Sequence, residues 1–250
     1  MSVYLHLTRR ELAAYFISMT GWVIIAAAAL LTGLSFAVLL VKLQGVPTPL
    51  PITQLFYATP FFWLVVLLAT PVITMRLFAQ EKHTGTFETL MTAPVSDTQV
   101  VLAKFSAAWI FYMIMWLPLL GSLLLLKRYI NDPSALAGGT LAGMFLGIAL
   151  VGAAFMALGC FTSSLSRSQI IAAMLCLAGG VSMFLLSFLS DKLSLDTTWW
   201  MSVFNYLSLF EHMNDFARGV VDTRPVVFYV SLTVLFLFLT LRALESRRWK

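Results

Sequence analysis

The chain has 250 residues, 60% of them hydrophobic and 11% charged, with a mean hydropathy of +0.90. Soluble globular domains carry about a quarter of their residues as charges, so this composition excludes a soluble enzyme or binding module and points to an integral membrane protein. The net charge of +5 does not mark a nucleic-acid binder, because the basic residues sit at the edges of apolar segments, where they anchor a chain to a membrane surface.

Uncharged runs cover 12–41, 43–75, 105–126, 133–166, 168–190 and 225–241. A helix rising about 1.5 Å per residue crosses the hydrocarbon core with about 20 residues. Every run but the last reaches that length, and the last gains Ala243 and Leu244 when Arg242 extends to the surface. Six spans are therefore expected, at about 20–42, 55–78, 99–126, 138–162, 168–190 and 225–244, in a single all-α domain over residues 1–250. The alternation of a membrane β-strand is absent.

Ahead of the first span, Leu12, Tyr15, Phe16 and Met19 recur at helical spacing behind Arg9 and Arg10. That pattern predicts an N-terminal interfacial helix along the inner leaflet. The apolar stretch is too long for the core of a cleaved signal peptide, and no small-residue cleavage site follows. The first outer loop, KLQGVPTPLPITQ at 42–54, spaces its prolines for an extended connector. Pro60, Pro71 and Pro118 fall inside spans and predict kinks.

Between spans two and three lies a polar island, QEKHTGTFETLMTAPVSDTQVVLAK, at 80–104. Thr84 and Gly85 offer a start, Glu88 suits the positive end of a helix, and Phe87, Leu90 and Met91 share one face. Pro94 stops that helix and Ser96 caps the next one. A short amphipathic helix over about 84–93 has an apolar face to cover, either on the inner leaflet or in a cleft of a soluble partner.

Span four carries Gly139, Gly143 and Gly147 at four-residue spacing, a face that lets helices approach closely within the same subunit or between subunits. Cys160 and Cys176 fall inside spans as small packed apolar residues. The serines around 163 lack a histidine in any span to act as base, so a serine nucleophile is not expected. The segment 191–224 is too long for a turn, and its aromatic first half predicts outer re-entrant helices before span six. Its Glu211, His212, Asp215 and Asp222 lack metal-ligand spacing, so no metal is expected.

Six spans put both termini on one side, with Arg9, Arg10, Arg76, Lys82, Lys104, Arg167, Arg242, Arg247, Arg248 and Lys250. The other side holds Lys42, Lys127, Arg128, Lys192, Arg218 and Arg224, so ten basic residues against six place the termini in the cytoplasm. Three capping-box matches, Thr8 to Glu11, Ser96 to Gln99 and Ser166 to Gln169, fall on that same side. No P-loop occurs in the sequence, and no span carries a charge in its middle, which argues against an ion-driven carrier.

Glu81, Lys82, Gly85, Thr86, Glu88, Leu90, Pro94, Val95 and Lys104 match the pattern of the segment after the second span in ABC-2 type transporter permeases. The chain resembles that family in outline throughout, and most of all its short single-domain permeases grouped with gliding-motility and copper-maturation transporters. The resemblance implies a bacterial inner-membrane permease subunit of an ATP-driven exporter, working with two separately encoded ATPase subunits and a second copy or sister permease. It leaves room for a periplasmic or accessory subunit. It assigns ATPase coupling to Glu81, Lys82, Gly85, Thr86, Phe87, Glu88, Leu90, Met91 and Pro94. ATP and Mg would be held by the partner, with no cofactor and no covalent chemistry in this chain. The alternative is a membrane scaffold or channel subunit that works without an ATPase.

Overall fold

The computed structural model describes residues 2–43, 51–86, 95–129, 138–192 and 208–248. These are 89% helical, with no strand among them, as an all-α membrane protein requires when its backbone polar groups must be satisfied away from water. The helices in chain order are α1 (Ser2–Ile17), α2 (Met19–Leu43), α3 (Ile52–Tyr57), α4 (Pro60–Thr74) and α5 (Ala79–Thr84). They are followed by α6 (Asp97–Met115), α7 (Leu117–Tyr129), α8 (Gly138–Leu165), α9 (Gln169–Lys192), α10 (Leu209–Ala217) and α11 (Thr223–Arg248).

Six segments are long and apolar enough to cross a membrane: 19–41, 60–84, 97–128, 138–165, 169–188 and 223–246. Each overlaps an expected span. Spans two and four form the interior, and α8 is the hub, packing against α4, α6, α9, α10 and α11. Spans five and six lie outside and turn apolar faces outward, such as Ile170 and Met174 on α9 and Val230, Val234 and Phe238 on α11.

The prolines punctuate rather than simply kink. Pro60 stands at the first position of α4, where its missing N–H costs nothing, so it starts span two instead of bending it. Pro71 does sit inside α4. Span three breaks at Trp116, two residues before Pro118, where a helix cannot keep its bonding ladder. The expected extended connector is shorter than its proline pattern suggests: residues 44–50 lie outside the described residues, and α3 is already helical from Ile52.

Of the three capping boxes, Ser96 forms one: its hydroxyl accepts from Gln99 N at 3.3 Å, and Gln99 Oε1 accepts from Ser96 N at 3.5 Å. Thr8 instead lies within α1 and donates to Tyr4 O at 2.9 Å, because α1 begins at Ser2. Ser166 bonds the backbone of Ser168 in a turn ahead of α9. A local motif fixes a helix start only where the chain has no earlier turn to extend.

Helix α1 places Thr8, Leu12, Tyr15 and Phe16 on one side and packs it against α6. Tyr4 Oη bonds Ser106 Oγ at 2.6 Å, and the Tyr15 ring stacks on Phe111 at 4.7 Å. Burial pushes the Tyr15 phenol well above its ordinary pKa, so it stays protonated and donates to Ile73 O at 2.9 Å. The N-terminal helix is thus fastened to the feet of spans two and three.

Candidate functional site

Span two does not run straight into the polar island. Its helix stops at Thr74, turns through 75–78, and resumes as α5. The break strands the amides of Phe78 and Ala79, and orphaned buried amides are costly. Ser163, near the end of α8, accepts from both, at 3.1 and 3.2 Å, and donates to Met75 O at 3.2 Å. The serine weighed above as a nucleophile is a splint that holds the break. Lys82 Nζ donates to the neighbouring Ser164 carbonyl, tying α5 to the same foot of α8.

Thr84 and Gly85 end a helix here and do not open one. Gly85 takes φ 76°, the left-handed position favoured just past a helix C-terminus, and Thr84 Oγ1 turns back to Gln80 O at 3.1 Å. The reading of Thr84 as the first residue of the island helix is therefore corrected: it belongs to α5.

Lys104, in the second turn of α6, is 3% exposed. Its ammonium lies 2.7 Å from Glu81 Oε1 on α5 and 3.3 Å from Glu11 Oε2 on α1, with the Phe78 ring 5.6 Å away. Glu11 Oε1 also accepts from Arg10 at 2.9 Å. One buried cation thus clasps three elements: α1, the stem of the polar island, and the start of span three. A buried ammonium survives only when its charge is matched, and removing a partner from such a group is far more costly than the pair is stabilising. Glu81 Oε2 is buried with no hydrogen-bond partner among the described residues. The clasp floors a polar cleft of about 340 Å³, rimmed by Tyr15, Arg76, Gln80 and Thr86.

Among the coupling candidates, the structure brings Glu81 and Lys82 together at the foot of the bundle, with Gly85 closing α5 and Thr86 at the cleft's edge. Phe87, Glu88, Leu90, Met91 and Pro94 lie outside the described residues. Glu11 and Ser163 were missed by sequence reasoning. The signal for Glu11 was present, since Glu11, Glu81 and Lys104 all flank spans on the same side, but no spacing rule joins residues so far apart.

The glycine face of span four receives α10. A Cβ on Gly143 would stand 2.4 Å from Phe216 O, and one on Gly147 about 3.1–3.2 Å from the Phe216 and Met213 side chains of α10. A Cβ on Gly139 would meet nothing within 4 Å. Thr53 of α3 donates to Ala217 O at 2.7 Å, and Tyr57 donates to Met144 O at 2.6 Å, so α3, α10 and α8 form a cap over the end of the bundle away from the clasp. The first half of the expected re-entrant segment, 193–207, lies outside the described residues. Among the described residues no cluster of three or more groups could hold a metal.

Six apolar helices, two of them forming the interior, with a braced polar stem between spans two and three, describe a multi-pass membrane protein, and its sequence has no P-loop. The chain belongs to the ABC-2 family: the model described as ABC-2 family transporter protein matches residues 41–243, which include Glu81 and Lys104. Permeases of this family are membrane components of ABC transporters and typically work with an ABC ATPase. None of the curated proteins compared with the sequence matches it.

Proposed function

We propose that this chain is the permease subunit of an ATP-driven exporter in the bacterial inner membrane, with both termini cytoplasmic. Two separately encoded ATPase subunits, carrying ATP and Mg, close on each other and push the part of the polar island that follows α5, residues 86–93. A second copy or a sister permease completes the pathway. The clasp supports this reading. A loop that merely joined two spans would have no use for a buried ammonium, whereas a lever needs a rigid fulcrum. Lys104 ties the stem of the lever to α1 and to span three, and Ser163 and Lys82 tie it to span four. A push on the island would therefore reach three spans together. The chain itself performs no covalent step.

Co-purification tests the reading. Expressed with its genomic neighbours, the tagged chain is expected to bring down a P-loop ATPase and to stimulate vanadate-sensitive hydrolysis. Purification without any ATPase, combined with full transport in vesicles lacking ATP, would favour the scaffold or channel alternative.

A further inference from the structure

At the elbow between α1 and α2, large apolar side chains face outward: Ile17 is 86% exposed, Met19 83% and Trp22 59%. Apolar surface at the end of a span is covered at the boundary between headgroups and acyl chains, where tryptophan is enriched. The elbow is tight, since a Cβ on Gly21 would lie 2.1 Å from Tyr15 O. Its polar side is built from Ser18, Thr20 and, from the foot of span two, Arg76. The guanidinium donates from both terminal nitrogens to Ser18 Oγ, at 3.4 Å each, and to Thr20 Oγ1. The two hydroxyls bond each other at 2.6 Å.

Arg76 has no carboxylate within ion-pair distance among the described residues. The carboxylates that share its cleft are taken: Glu81 by Lys104, and Glu11 by Lys104 and Arg10. A guanidinium presents five donors in a planar fork that matches phosphate oxygens, and neutral hydroxyls answer part of that demand without answering its charge.

We infer that Arg76, Ser18 and Thr20 bind the phosphate of an anionic phospholipid whose acyl chains lie over Ile17, Met19 and Trp22. Guanidinium and hydroxyls select a phosphate ester. The exposed apolar side chains beside them select a lipid over free phosphate, because a soluble anion gains nothing from such neighbours. A zwitterionic headgroup brings its own ammonium and gains less from Arg76. The assignment holds whichever side of the membrane α1 faces, and it stands apart from the ATPase reading. It would set the depth of the elbow, and so of the clasp that α1 carries through Glu11.

The test uses the full-length chain in mixed micelles of equal phosphatidylglycerol and phosphatidylcholine, with retained lipid counted by native mass spectrometry. Wild type is expected to retain phosphatidylglycerol over phosphatidylcholine by about fivefold, the ratio for one cation working at a lipid surface. Arg76→Gln should bring the ratio close to one, while Arg242→Gln, whose parent side chain pairs with Glu245 on α11, should leave it unchanged. If Arg76→Gln does not fold, Thr20→Val reads the same preference and should lower it. An unchanged ratio in the folded Arg76 or Thr20 variant overturns the site. Displacement of phosphatidylglycerol by millimolar inorganic phosphate would assign it to a free anion and overturn the lipid reading.

Discussion

Methionine in place of Lys104 keeps the length of the side chain and removes the ammonium that three helices share. Glu81 then loses its 2.7 Å partner on Oε1, while Oε2 already has none. Glu11 loses a more distant contact at 3.3 Å and keeps Arg10. Breaking a buried pair from one side costs about 3–5 kcal/mol. The low end applies here, because the Glu81 side chain is still 19% exposed and water can reach it. With a shift of about 2–4 °C per kcal/mol for a chain of this size, the melting temperature should fall by roughly 6–12 °C. Adding Glu81→Gln to Lys104→Met removes the stranded carboxylate and should restore at least half of that loss. Glu11→Gln alone should cost about 1 kcal/mol or less, as a partly exposed pair does. Thermal unfolding of the detergent-solubilised wild type, these variants and Glu81→Gln alone, followed by size exclusion of a fluorescent fusion, gives the values. A Lys104→Met protein within about 2 °C of wild type, or a double variant as damaged as the sum of its singles, would refute the clasp. The restored double variant should still stimulate an ATPase poorly, because α5 is no longer tied to α6.

The glycine face offers an internal contrast. Gly143→Ala places a Cβ 2.4 Å from Phe216 O whereas Gly139→Ala meets open space, so the first should lower thermal stability by about 1–3 kcal/mol and the second should not; equal melting temperatures would mean that α10 does not rest there. At the end of the bundle away from the clasp, burial pulls the His212 imidazole down from 6.5 to about 4, with Asp222 acting weakly the other way. The unfolded chain takes up its proton near pH 6.5 and the folded one only near 4, so this stability is whole above 6.5 and is lost as the pH falls through that window. His212→Leu should flatten the acid side of a plot of melting temperature against pH, and parallel curves for variant and wild type would contradict the burial argument.

The six spans were legible because a bilayer imposes one strong rule, an uncharged stretch of sufficient length, and charge-free runs can be read without knowing what packs on what. The polar island was legible as unusual for the same reason. The clasp was not. Lys104 read as one more basic residue at a span end, and its burial follows from α1 folding back over α6, which no local pattern announces. Ser163 was set aside as a nucleophile for want of a histidine, but its structural role was not legible, because its partners are amides freed by a helix break at 75–78, and that break became visible only in three dimensions. The glycine stripe announced a close approach without naming the visitor, which proved to be Phe216 on α10, a helix whose sequence suggested a leaflet-dipping segment. Thr84 and Gly85 were placed correctly as punctuation and assigned to the wrong side of it.

The central claim is that the part of the polar island after α5, residues 86–93, transmits an ATPase's motion, and Leu90→Asp tests it most directly. Leu90 shares its sequence face with Phe87 and Met91. An apolar side chain buried at a contact contributes about 1.5–3 kcal/mol, so a carboxylate in its place should loosen the complex at least about tenfold. The measurement is co-purification of the ATPase with the full-length variant, alongside vanadate-sensitive hydrolysis, in protein that still inserts and elutes as wild type does. Loss of the ATPase from Leu90→Asp, with the permease intact, is the result expected. An ATPase fully retained and fully stimulated by the Leu90→Asp permease would contradict the account and leave that segment resting on the membrane.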